Sequence, residues 1–160
     1  MPVTRRRKIL LALMIPTLAV AVWQWFLRPY EWRPDPAATC RIDFARLQRD
    51  LSYHWLEVRL QVTDPDRFEL DPDVALITAA GTEKKPAGLT LEGAGAGDVD
   101  PGQPSLAMTE ALALKFWLEP GDLDGPLALR LDGASLQVRR GSAPPALEDG
   151  ESKVYHTCRW

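Results

Sequence analysis

The clearest pattern in the chain is strict alternation between Trp55 and Thr63, where Leu56, Val58, Leu60 and Val62 interleave with Glu57, Arg59, Gln61 and Thr63. Successive side chains of a strand point to opposite faces, so a period of two predicts one buried and one wet face. The same period recurs from Ala111 to Glu119, where Leu112, Leu114, Phe116 and Leu118 interleave with Ala111, Ala113, Lys115 and Trp117. Leu127, Leu129 and Leu131 form the next inward row, and Asp132-Gly133 predicts a tight hairpin turn into a strand carrying Leu136 and Val138. Shorter strands are expected at Cys40 to Phe44, Val74 to Ala79 and Leu89 to Leu91, with an edge piece at Phe68 to Leu70. A final strand from Lys153 to Trp160 would set Val154, His156 and Cys158 on one face. Phe44, Leu47 and Leu51, spaced three and four apart, read as a loop or one to two helical turns. Glycines and prolines between Gly93 and Pro104, and from Gly141 to Gly150, predict long loops. Roughly seven to eight short strands with frequent turns predict an all-β domain, an antiparallel β-sandwich of immunoglobulin-like architecture over residues 39–160.

Ile9 to Leu27 breaks this pattern with nineteen uncharged residues, including Ile9, Leu10, Leu11, Leu13, Ile15, Pro16, Val20, Val22, Trp23, Trp25, Phe26 and Leu27. As a helix this stretch is about 28 Å long, the thickness of a bilayer's hydrocarbon core. Arg5, Arg6, Arg7 and Lys8 precede it, so the positive-inside rule puts residues 1–8 in the cytoplasm. Residues 9–27 then form a single-pass signal anchor, and the C-terminal domain is extracytoplasmic, in the periplasm. Trp23, Trp25, Tyr30 and Trp32 fit an interfacial belt at the outer end. Cleavage as a secretory signal after Ala19-Val20-Ala21 is the rival reading, but it would leave an aromatic strip at the new N-terminus. Residues 28–38 hold three prolines and predict an extended stalk.

Charge divides the chain. Residues 1–33 carry six Lys/Arg against one acid, and residues 34–160 carry thirteen against twenty-one. An acidic domain disfavours nucleic acid and peripheral lipid binding. Membrane lipid is therefore expected as a partner through the N-terminal helix alone. Cys40 and Cys158 are the only cysteines, and in an oxidising compartment they predict a disulfide. Closing its loop of about 119 residues would contribute roughly 4–5 kcal/mol in the chain-entropy model.

Candidate chemistry is sparse. No metalloprotease, nucleophile-elbow or phosphate-loop motif is present. Ser52, His54 and Asp50 could cooperate only through a sharp local bend, so no catalytic group or cofactor is assigned. Asp64, Asp66, Asp71 and Asp73 are weak calcium candidates, because hard cations want converging carboxylates; Asp beside Pro is first of all turn chemistry. Ala111, Ala113 and Trp117, with Ala128 on the following strand, suggest a shallow contact face, and Trp160 a further contact. These features predict a non-catalytic accessory subunit whose partners are the other subunits of a membrane complex, energy-converting, secretory or transport. The alternative is an independent tethered or secreted ligand-binding or adhesion module, with calcium as a candidate ligand.

Overall fold

The computed structural model describes residues 14–22, 30, 35–68, 73–93 and 109–160. Among them are nine strands: β1 (Cys40–Asp50), β2 (Tyr53–Val62), β3 (Ala75–Ile77), β4 (Glu83–Lys84), β5 (Gly88–Gly93), β6 (Thr109–Leu118), β7 (Leu127–Leu131), β8 (Ala134–Arg139) and β9 (Ser152–Tyr155). Every pairing is antiparallel. The strands form a five-stranded sheet of order β5-β6-β2-β1-β9 and a four-stranded sheet of order β4-β3-β7-β8. The fold is an all-β sandwich. Leu56, Val58 and Leu60 of β2 and Leu112, Leu114, Phe116 and Leu118 of β6 are all buried, as their alternation requires, and Leu76, Leu127 and Leu129 come from the other sheet. Each such side chain contributes about 1.5–3 kcal/mol of apolar burial.

The expectation of a loop or helical turns over Phe44 to Tyr53 is wrong, because β1 runs on to Asp50. Its pairing with β2 shifts register between Ile42 and Phe44, so Asp43 is an extra residue. A bulge of one residue exchanges inside for outside. Cys40 and Ile42 point inward before it and Ala45 and Leu47 after it; Phe44 faces outward opposite Arg59 and Leu51 sits in the hairpin turn, so Phe44, Leu47 and Leu51 share no face despite their helical spacing.

Two hairpin turns use left-handed backbone. Asp132 and Gly133 have φ of 51° and 71°, as a two-residue turn matched to strand twist demands. Leu51, between β1 and β2, has φ of 54° without being glycine. Close approach constrains Gly125, where an added Cβ would lie 2.3 Å from Cβ of Ala79.

The last strand ends earlier than its alternation suggests, at Tyr155. Beyond it the chain leaves β1 and crosses to the four-stranded sheet, where Arg140 N–H donates to Cys158 O (2.6 Å) and Gly141 N–H to Trp160 O (3.1 Å). This tail closes one side of the sandwich, and it also explains why the expected disulfide is not formed: both thiols are free. Cys40 begins β1 beside the β7–β8 turn, since Thr39 Oγ1 donates to Asp132 (3.0 Å). Cys158 lies against Arg140, past the far end of β8 and roughly 20 Å along that strand, too far for a bridge. Burial pushes the Cys40 thiol up to about 11.

The segment ahead of β1 is not a free stalk where it is described. Residues 35–38 turn back on the domain, with the Asp35 carboxylate accepting from Ala37 N–H (3.0 Å) and Ser135 N–H (3.1 Å). Those two bonds hold its carboxyl below the usual range. Residues 14–22 form a helix exposed at every position. Among the described residues no helix is long and apolar enough to cross a membrane, and residues 9–13 and 23–27 of the expected span lie outside them.

Gly125→Ala should lower unfolding free energy by about 1–3 kcal/mol, the usual cost of overpacking, because the new methyl meets Ala79 and disturbs a carbonyl used by Arg139. Urea denaturation followed by circular dichroism measures it.

Candidate protein-docking surface

β2 and β6 pair with Trp55 opposite Trp117. Since Leu56 and Phe116 beside them point inward, both indoles point outward. Their ring centroids are 4.6 Å apart and nearly perpendicular, and Tyr53 lies 4.7 Å from Trp117 on the same face. Trp55 Nε1 donates to Asp50 Oδ2 (3.3 Å), which fixes its edge. Tyr53 is 40% and Trp117 37% exposed. The rest of this outer face is mainly polar, and several of its charges are matched. Arg46 meets Glu57 at 3.6 Å, Arg59 reaches Glu92, and Arg41 Nε donates to Gln61 (2.8 Å). Phe44 is held between the Arg46 and Arg59 guanidinium groups, 5.8 and 5.7 Å from its ring centroid. The aromatic end is thus an apolar cluster on a face otherwise mainly polar, with Val154 on β9, opposite Arg46, a separate exposed apolar position.

Leu51 extends that end. It is 70% exposed at the tip of the β1–β2 hairpin, in a backbone conformation that costs a non-glycine residue of order 1–3 kcal/mol. Neighbouring chain holds it there. Leu51 N–H donates to Asp149 Oδ1 (2.6 Å), Gly150 N–H to Arg49 O (3.0 Å) and Arg49 N–H to Glu151 O (3.0 Å), while Arg49 Nη1 donates to Leu147 O (2.7 Å).

Of the residues expected to form a contact face, Trp117 is exposed as described. Ala113 is buried, because Arg59 crosses over it from β2 to reach Glu92 on β5, and Ala111 is half-buried opposite Glu92. Ala128 does not join them, since β7 belongs to the other sheet. Trp160 faces inward: it stacks on Tyr155 (4.4 Å, 13°), donates from Nε1 to Tyr30 Oη (2.9 Å) and lies under the Arg139 guanidinium (5.3 Å). Asp64 meets Arg67 at 3.7 Å and Asp73 meets Lys85 at 3.5 Å; Asp66 is exposed and Asp71 lies outside the described residues. Among the described residues no cluster of three or more His, Cys, Asp or Glu could hold a metal. Ser52 is an exposed turn residue, whereas His54 faces inward and Asp50 is engaged by Trp55, so these three do not converge.

Tyr53 and Leu51 are the surface residues that periodicity missed. The phase of β2 already turned Trp55 outward, but joining it to Trp117 requires knowing that β2 and β6 are neighbours. Arg139 was missed as well. It is fully buried, with Nη1 donating to Leu123 O and Gly125 O (2.6 Å each) and Nη2 to Ala143 O. Burial lowers its pKa, yet a guanidinium remains charged, so the three carbonyls and the Trp160 ring stand in for water.

No family model matches the sequence, and no curated protein or solved structure matches the chain.

His54, at the end of β2 beneath this surface, is 8% exposed and its Nδ1 has no hydrogen-bond partner. Burial, and then Arg49, lowers its pKa. The unfolded chain therefore takes up this proton first, and the stability His54 contributes is complete above about pH 6.5 and falls as pH drops below that value. Urea midpoints from pH 7.5 to 5 should decline more steeply for the wild type than for His54→Leu.

Proposed function

We propose that this chain is a non-catalytic accessory subunit of a membrane complex. One N-terminal helix holds an immunoglobulin-like sandwich on the extracytoplasmic side, and the Leu51, Tyr53, Trp55 and Trp117 surface docks on a partner protein. That exposed aromatic cluster is the observation that carries the reading. Tyr and Trp are enriched where interfaces concentrate their binding energy, and a strained, exposed leucine beside them is held outward by its neighbours rather than tucked in. The strand order supports the immunoglobulin-like description. Without β9, the sheets run β1-β2-β6-β5 and β4-β3-β7-β8, the A-B-E-D and C′-C-F-G orders of that sandwich class. The anchor rests on the uncharged run from Ile9 to Leu27 and on the complete exposure of its described part, residues 14–22, which the sandwich does not cover.

Native pull-down in mild detergent with mass spectrometry tests the reading. The wild type should bring down a larger assembly, and Tyr53→Ala/Trp117→Ala should lose it by at least about tenfold with its fold intact. A monodisperse monomer at native expression overturns the proposal. Leu51→Gly should raise stability by about 1 kcal/mol, because glycine tolerates positive φ, and still weaken capture.

A further inference from the structure

The sandwich edge formed by β9, the tail and the end of β8 differs from the rest of the domain in charge. Arg140, Lys153 and Arg159 are exposed on it, with His156 nearby on the outer face against Phe44. Elsewhere on the domain several cations are ion-paired, as in Arg46 with Glu57, Arg59 with Glu92, Arg67 with Asp64, Lys85 with Asp73 and Arg130 with Glu83. Arg140, Lys153 and Arg159 have no ion-pair partner among the described residues; Lys153 lies only against the Tyr155 ring, 5.7 Å from its centroid. The acids of the region, Glu148, Asp149 and Glu151, sit before and at the start of β9, where Asp149 holds Leu51 and Glu151 holds Glu148 N–H.

The same edge receives the chain from the apolar run. Tyr30 stands three residues after Leu27 and is docked here, its hydroxyl accepting from Trp160 and its ionisation suppressed by burial. Three residues reach at most about 10 Å, so a bilayer holding residues 9–27 brings its headgroups to this edge. We propose that the edge carrying Arg140, Lys153 and Arg159 rests on anionic lipid headgroups, laying the sandwich side-on to the membrane and leaving the aromatic docking surface, two and three strands in from β9, open to the aqueous side. This rests on the anchor reading above. Tyr30, Tyr155 and Trp160 suit the position, being apolar rings with polar edges.

Hydrogen exchange read by mass spectrometry, on the full chain in lipid nanodiscs, tests it. In discs containing phosphatidylglycerol, segments 139–142 and 152–160 should exchange more slowly than in phosphatidylcholine discs, and the difference should vanish in 0.5 M salt. Each cation near an anionic surface strengthens contact by about fivefold, so Arg140→Glu/Lys153→Glu/Arg159→Glu should abolish the slowing and the corresponding glutamine variant should reduce it. Equal exchange in the two lipids, slowing that survives charge reversal, or slowing at segments 51–55 and 115–118 instead overturns the proposal while leaving the anchor intact. A chain recovered free of discs overturns the anchor, and the proposal with it.

Discussion

β2 and β6 face each other residue for residue, from Gln61 against Ala111 to His54 against Leu118. Because both strands alternate in the same phase, this one register packs Leu56, Val58 and Leu60 with Leu112, Leu114 and Phe116 inside, and brings Trp55 against Trp117 outside. A slip of β6 by one residue would turn Leu112, Leu114, Phe116 and Leu118 to water and bury Lys115 and Trp117. The apolar core and the aromatic surface therefore share a single cause. Neither can be altered by sliding the strands without destroying the other.

The second organising contact is the buried guanidinium of Arg139. A charge without water needs partners in the fold; three backbone carbonyls from chain segments on either side of β7 and β8 bind Nη1 and Nη2, Trp160 covers the ring-facing side, and Nε has no partner among the described residues. Trp160 in turn stacks on Tyr155 and binds Tyr30. Residues from the segment before β1, from β8, from β9 and from the tail thus converge on one cation. Electrostatics here acts through geometry: the fork of the arginine fixes where the flanking loops may run.

Much of the fold was legible in the sequence, for a physical reason. Long strands with one wet face print their alternation directly, which is why β2, β6, β7 and the Asp132-Gly133 turn can be read by eye. β1 could not be read through, because the Asp43 bulge inverts its phase. β4 is two residues long and leaves no periodic trace. The contact surface was half legible. Trp117 faces outward by its own alternation, but Ala128, equally outward by alternation, lies on the opposite sheet, and pattern alone does not state which strands are neighbours. The expected cysteine bridge failed similarly: an even count and terminal positions suggest a pairing, while a tail that departs at Tyr155 separates the sulfurs. Arg139 looked like an ordinary polar residue at a strand end because the carbonyls that enclose it come from loops.

β1 is flanked in its sheet by β2 on one side and β9 on the other, with Ala45 opposite Tyr155 across about 110 residues of intervening chain. During synthesis the β1–β2 hairpin can close early, whereas the other edge of β1 stays bare until nearly everything else has emerged. An uncovered edge is an invitation to foreign strands, and long-range closure is slow. The nascent domain thus passes through a stage in which its oldest strand waits for its youngest, and any ribosome stalling or truncation before residue 152 leaves a sticky, incomplete sheet rather than a slightly shortened domain.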